Sequence, residues 1–455
     1  MTVLTTIVAF LVALGLLIVF HEYGHYLAAR FFNVKVLRFS VGFGRPILVR
    51  RHGPDQTEWA LGGFPLGGYV KMLDEREGPV AAAEAHRAFN RQSVYRRFVI
   101  VAAGPIANFL LAIVLYWGLF IAGVPGVKPI IGPPVPGSPA AVAGFESGDT
   151  LVQVDGEPLT TWQDARWALL QAGVTRGRVK VEALGENGHI AIRTLDLTGL
   201  KPDDLDGEFI ERIGLVRFQP PLAPRVGQVM SGRPAERAGL KVGDEIVAIN
   251  GKSVARWDDV VRAITDSPDE TLEIEVRRAN GVADFVKVQP EAVTENGKRV
   301  GRIGFAPIVD LREVQRFRTE VRYGFFEGFA RAIAKTWQMS VFSLNMMGKM
   351  ILGEVSLKNL SGPLTIADYA GQSAQLGWIS YLSFLALVSV SLAVLNLLPI
   401  PLLDGGHLMY HIVEIIKGRP VSERALELGQ HVGIALLFTL MAFAIYNDIT
   451  RLLGG

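Results

Sequence analysis

"VLTTIVAFLVALGLLIVFHEYGHYLAARF", Val3 to Phe31, carries two messages in one stretch. Val3 to Phe20 is apolar and long enough to span a bilayer, which takes roughly 20 residues. The continuation "FHEYGHYLAARF" (20–31) sets His21, Glu22 and His25 at membrane depth, where ionisable side chains are costly and mark working sites. On an α-helix, residues i and i+4 share a face, so the two histidines of "HEYGH" can grip one ion. Zinc accepts imidazole and carboxylate ligands, and a catalytic site keeps a position for water. Glu22, beside the first histidine, can take the proton from that water and pass it to a leaving amine. A cleaved signal peptide is a rival reading of the opening run. It is disfavoured because "MTVLTT" lacks a basic segment and no clear cleavage site follows.

Three more stretches can span: Phe98 to Gly123, about Leu376 to Leu398, and Val432 to Ile449. The chain of 455 residues is 49% hydrophobic yet 20% charged, which calls for membrane helices joined to sizeable polar parts. Mean hydropathy is +0.29, high for a water-soluble chain. A formal net charge of +2 leaves no nucleic-acid footprint. Cysteine is absent, so any metal must rest on His, Asp or Glu. From Arg30 to Arg97 there are twelve Lys or Arg against six Asp or Glu. The positive-inside rule puts that loop in the cytoplasm, and the N-terminus and the long middle segment outside.

Catalytic zinc normally takes three protein ligands, and two histidines leave one to find. The candidate lies in "NLLPIPLLDGG", Asn396 to Gly406. Pro399 and Pro401 break a helix there and free backbone groups that must be satisfied by protein, water or substrate. Asp404 in such a broken segment suits a metal ligand. The other reading of Asp404 is a loop carboxylate capping a helix at the membrane surface. His407, His411 and His431 could each ligate metal, but most such histidines are structural or solvated, and they stay outside the expected site.

The middle segment repeats itself. "SPAAVAGFESGDTLVQVDGEPLTTW" (138–162) aligns without gaps with "RPAERAGLKVGDEIVAINGKSVARW" (233–257), and "RIGLVRFQP" is answered by "RIGFAPIVD". Short β-branched strands punctuated by Gly-Asp, Asp-Gly and Asn-Gly turns fit two tandem domains. The pattern resembles bacterial PDZ domains, which bind peptides by strand addition. The groove is expected along Ile131-Gly132 and Val226-Gly227, and the alternative is a pair of spacers without a ligand. The boundaries run 1–125 (first membrane part), 126–221 and 222–310 (the two repeats), 311–374 (amphipathic linker) and 375–455 (second membrane part).

HExxH in the first span, NxxPxPxLDG at the end of the third and PDZ-like repeats between the second and third resemble the site-2 protease family. These are intramembrane zinc metalloproteases. The tandem repeats and four spans are similar to the bacterial branch that cuts an anti-sigma factor in the sigma-E envelope-stress pathway. The resemblance implies Zn2+ held by His21, His25 and Asp404, with Glu22 as the base and Asn396 helping to hold the substrate backbone. It implies an α-helical membrane protein with four transmembrane helices, membrane-associated β-hairpins and two tandem β-rich PDZ domains. It places the protein in the bacterial inner membrane, with the active site toward the cytoplasm and the PDZ domains in the periplasm. The implied substrates are single-span membrane proteins already cut once outside, with remnant signal peptides as a second class and no nucleic acid. The PDZ pair would then screen out uncut substrates by size.

Two further segments fit that picture. "VLRFSVGFGRPILVRR" (36–51) turns at Gly42-Phe43-Gly44, and "EWALGGFPLGGYVKM" (58–72) is a second Gly-rich strand signal. A strand edge there could hold an unwound substrate extended, beside Pro399 and Pro401. Phe325 to Leu352 interleaves Phe, Ile and Leu with Arg331, Lys335 and Lys349, which suits an amphipathic helix at the membrane surface. Residues 359–371 have no role readable from their chemistry. A PDZ-bearing scaffold with a dead metal site is the rival function, and the intact Glu22 argues against it.

Overall fold

A computed structural model describes residues 3–175, 177–185, 187–199, 209–295, 298–309, 315–356 and 362–454. The chain forms two compact units. One is built from Met1–Val124 and Glu320–Leu453, the other from Pro125–Gly199 and Gly207–Thr319.

The first unit contains helices α1 (Val3–Phe31), α2 (Val94–Ala122), α3 (Phe325–Ile351), α4 (Pro363–Leu376), α5 (Trp378–Leu397), α6 (Asp404–Lys417) and α7 (Glu423–Gly454). Four of them, α1, α2, α5 and most of α7, are long and apolar enough to cross a membrane. α1 ends where Asn33 turns left-handed at φ 59°, and Val34 N closes the helix onto Ala29 O at 2.8 Å. α2 starts on Ser93, whose hydroxyl accepts from Arg96 N–H. Gly24 lets α1 lie directly on α2, because a β-carbon there would strike the Ala103 carbonyl and Ala107. Leu17, Leu111 and Leu385 close a dry seam between α1, α2 and α5. Tyr381 donates across it to Ala9 O at 2.7 Å, so a polar group at that depth is not left unpaired.

Two helices gain detail that the sequence did not supply. α3 is the amphipathic helix expected over Phe325 to Leu352. It buries Gly328, Ala332, Thr336, Met339 and Ser340 on one face and packs along α2 and α5. Its Phe326 and Trp337 remain exposed on the other face. The segment without a legible role contains α4, held by a residue from the far end of the chain. The Asp448 carboxylate on α7 accepts from the N–H groups of Gly362, Leu364 and Thr365 at 2.9–3.2 Å and from the Thr365 hydroxyl at 2.6 Å. That satisfies most of the open donors of a helix start in a buried place.

Between α1 and α2, strands β1 (Val36–His52) and β2 (Thr57–Met72) form one folded ribbon rather than a plain hairpin. Ser40 pairs with both Tyr69 and Ala60, while Val49 pairs with Ala60 from the other side. Residues 36–41 are therefore central, and 46–52 and 68–72 are the edges. The fold-back needs Gly42 and Gly44 at φ 90° and 85°, a region that side chains resist. At the tip, Phe43, Ile47, Leu48 and Phe64 are exposed.

In the second unit the repeat is structural as well as sequential. Thr150–Val154, Glu157–Pro158, Arg178–Leu184 and Ile190–Asp196 make a four-stranded sheet with a helix at Trp162–Thr175. Glu245–Ile249, Lys252–Ser253, Leu272–Arg277 and Ala283–Val288 make the same sheet with the same strand order, and a helix at Trp257–Thr265. Each sheet buries every second residue, as in Leu272, Ile274 and Val276.

Candidate metal centre

His21 and His25 lie one turn apart on α1, and the chain brings Asp404 to them from the first turn of α6. His21 Nε2 is 3.1 Å from Asp404 Oδ2, His25 Nε2 is 3.5 Å from it, and the two imidazole nitrogens are 3.3 Å apart. Among the described residues, this is the group of three His, Asp or Glu side chains whose ligand atoms converge.

The protonation of that triangle decides what it can hold. His25 Nδ1 donates to the Ile100 carbonyl at 2.9 Å, which leaves a lone pair on Nε2. His21 Nδ1 faces the Asn108 side chain at 3.4 Å, and Asn108 Oδ1 is buried without a partner. The amide nitrogen is the atom placed against the ring; with the amide turned so that its orphaned oxygen faces the ring, Asn108 would accept from Nδ1–H and His21 Nε2 would keep a lone pair. Asp404 Oδ2 is buried and faces both imidazole nitrogens. Three lone pairs then meet within 3.5 Å, an arrangement that repels itself unless a cation sits among them. A circle through the three atoms, with sides of 3.1, 3.3 and 3.5 Å, has a radius of about 1.9 Å, close to the ~2.0–2.1 Å of zinc bonds to nitrogen and oxygen. The donor set fits a zinc ion.

Small residues make the space. A β-carbon at Gly104 of α2 would lie inside the His25 ring. One at Gly405 would strike the Leu397 and Leu398 carbonyls, and one at Gly406 the Ile400 carbonyl. The turn before Asp404 is tight: Leu403 N bonds Ile400 O at 3.0 Å, Pro401 takes the second position and Leu402 the third at φ 91°. That is the position of a type II turn that normally asks for glycine, so the leucine stores strain of about 1 kcal/mol.

Glu22 is half-buried, makes no hydrogen bond with any described residue and interacts electrostatically with His25, His21 and Asp404. Strand β2 runs close above it. A β-carbon on Gly68 would come within 3.0 Å of Glu22 Cγ and 2.8 Å of Ser40 O. Asn396 is half-buried on the last turn of α5, without a hydrogen-bond partner among the described residues. Pro399 and Pro401 flank the turn. Phe43 stacks on Tyr69 with ring centres 6.3 Å apart, and a β-carbon on Gly67 would enter its ring.

The groove expected at Ile131-Gly132 and Val226-Gly227 is not open. Ile131 and Val226 are completely buried. Gly132 N–H is spent on Val216 O at 2.7 Å. Strand Val226–Val229 is paired by Phe305–Pro307, and Val226 also exchanges bonds with Gly243 and Asp244. In the second repeat, an open cavity of about 430 Å³ lies instead between Gly304–Pro307 and the Trp257–Thr265 helix, lined by Met230, Trp257, Val261, Ile264, Phe305 and Ala306. The "RIGFAP" stretch, read above only as an end marker of the repeat, is its strand wall.

The sequence reading missed Asn108, Gly104 and the Ile100 carbonyl. The one available signal was "GPIAN" (104–108), which puts a buried amide inside an apolar span. Ser389 of α5 donates to the Asn108 carbonyl at 2.7 Å, so the residue behind His21 is itself tied down.

Residues 9–440 match peptidase family M50. The chain is similar over 99% of its length, at 42% identity, to the whole of the regulator of sigma E protease of Salmonella typhi. It is 41% identical to the regulator of sigma-E protease RseP of Escherichia coli, with 98% of each chain covered. A protein of Neisseria meningitidis whose name places it among the zinc metalloproteases is 42% identical over 99% of this chain and all of its own. With the family profile spanning nearly the whole chain and a zinc-fitting donor triangle inside it, the chain belongs to peptidase family M50, the site-2 type of zinc metalloprotease.

Proposed function

We propose that His21, His25 and Asp404 hold the zinc of an intramembrane endopeptidase and that Glu22 is its general base. The observation carrying this reading is the convergence of His21 Nε2, His25 Nε2 and Asp404 Oδ2 within 3.5 Å of one another. Bound there, zinc supplies a Lewis acid for the scissile carbonyl and the attacking water. Glu22 takes the proton of that water on its free carboxylate and returns it to the departing amine. The Asn396 amide, unspent on protein, holds a backbone group of the substrate. A peptide bond within a helix is shielded, so the substrate must be drawn out first. The outer edge of residues 68–72 pairs with no strand among the described residues, which suits it to hold an extended segment beside Glu22. The apolar tip at Phe43, Ile47 and Phe64 suits a ribbon that dips into lipid.

The substrate in this reading is a single-span membrane protein of the anti-sigma-factor kind, by likeness to relatives named as regulators of sigma-E protease. The basic 30–97 loop orients the site toward the cytoplasm in the inner membrane. The two repeats read as PDZ-type domains outside, and they exclude substrates that keep a bulky outer domain. The second repeat takes a peptide in the Phe305-Ala306 groove rather than at Val226.

Purified enzyme in detergent is the test, with a full-length single-span substrate and one trimmed close to the membrane. Cleavage should require zinc, vanish in Glu22→Gln and favour the trimmed substrate. Deleting residues 127–309 should speed cutting of the full-length one. Zinc-independent cutting would remove the proposed centre. Equal cutting of both substrates by intact enzyme would remove the filter.

A further inference from the structure

Helix α6 carries more ligand chemistry than the centre uses. After Asp404 it reads on through His407, His411 and Glu414. Offsets of three, seven and ten residues keep all four on one stripe of an α-helix. A cavity of about 370 Å³ opens along that stripe, lined by His407, Tyr410, His411 and Glu414 together with Arg97 of α2 and Arg76 of the loop before it. At about 1.5 Å of rise per residue, His407 and His411 stand ~4.5 and ~10.5 Å along the axis from Asp404.

The chemistry of the cavity favours a soft cation over an anion. Both arginines are ion-paired: Arg97 with Glu414 at 2.6 Å and Arg76 with Asp74 at 2.5 Å. His411 is only 8% exposed, and its ring makes no hydrogen bond with any described residue. Burial, then the charge of Arg97, pushes its imidazole down to about 4, so it is unprotonated at neutral pH. Glu414 spends one carboxylate oxygen on Arg97. The Tyr410 hydroxyl is buried without a partner. His407 and His411 both line this cavity and stand at i and i+4, the sequence spacing of His21 and His25 on α1.

We propose that His407 and His411 form a second, weaker zinc site, a transit site that takes up the ion and hands it along α6 to Asp404. It rests on the reading of Asp404 as a zinc ligand. Neither histidine is assigned a part in the chemistry of cleavage, so the loaded enzyme should not need them.

The test strips full-length enzyme of metal in detergent and adds Co2+ or Zn2+ alone. Wild type should bind two Co2+ per chain, one tightly and one weakly, with the d–d absorption of nitrogen ligands for both. His407→Ala combined with His411→Leu should lose the weak event, keep the tight one and keep the cleavage rate once loaded. Its zinc uptake should slow about tenfold, equivalent to about 1.4 kcal/mol of barrier. His21→Ala with His25→Ala should keep the weak event while losing the tight one. Survival of neither event there, with uptake unchanged in the α6 variant, overturns the transit site and leaves the centre standing. A tight event that survives loss of His21 and His25 overturns the centre itself. Should the double α6 variant fail to fold by circular dichroism, His407→Ala alone, at an exposed position, carries the uptake measurement. Unchanged uptake and two Co2+ in that variant overturn the proposal.

Discussion

His21 and His25 stand on an unbroken helix of 29 residues, whereas Asp404 opens a helix that begins two residues after a left-handed leucine. The first pair needs only the α-helical repeat to share a face, and its imidazoles are steered by α2 through Ile100 and Asn108. The carboxylate needs two prolines, a strained turn and two glycines pressed onto the end of α5 before it can reach the same point. One half of the centre is set by local periodicity. The other is set by how tightly a chain break can be folded.

That contrast can be broken at its far end first. Asp404→Ala should leave a pair of imidazoles that hold zinc only weakly, so tightly bound metal and cleavage fall together. Zinc per chain by atomic absorption, measured beside cleavage, checks it. An unchanged stoichiometry would pass the third position to His407. Glu22→Gln separates metal from proton transfer: zinc content stays, and cleavage drops about 10²–10⁴-fold. A wild-type rate would move the base elsewhere.

A smaller effect tests the support of the helical half. Asn108→Leu removes the acceptor behind His21, and metal affinity should weaken about 10–100-fold by chelator competition, with the fold kept. An unchanged affinity would mean that α1 alone orients the ring. The smallest effect tests the strained half. Leu402→Gly relieves about 1 kcal/mol of left-handed strain but adds roughly 0.5–1 kcal/mol of chain entropy. The melting temperature should therefore scarcely move. A fall beyond a few degrees would give the leucine side chain a packing role in the cavity it lines.

The three residues that converge were legible as candidate ligands because HExxH and a broken, carboxylate-bearing segment are chemical oddities in apolar surroundings. The four spans were legible because length and hydropathy suffice. The repeat announced itself by its turn residues, and its strands recur in the same order. The groove was misread because backbone pairing is invisible in composition. Val226 was expected to line a groove for strand addition, yet Phe305–Pro307 arrives from about eighty residues away and pairs with its strand.

By itself, then, the sequence determined which elements are long and apolar enough to cross a membrane, which residues are the candidates for ligand and proton chemistry, and that two like domains lie between them. Periodicity and residue type act over a few neighbours and need no fold to be read. Only the tertiary structure decided that Asp404 meets two histidines 379 and 383 positions away. It alone decided that Ile100 and Asn108 sit behind the two imidazoles, that Asp448 starts α4 and that α6 brings two spare imidazoles to one cavity. Each of these is a contact between distant segments, settled by close packing and by the need to pair every buried polar group.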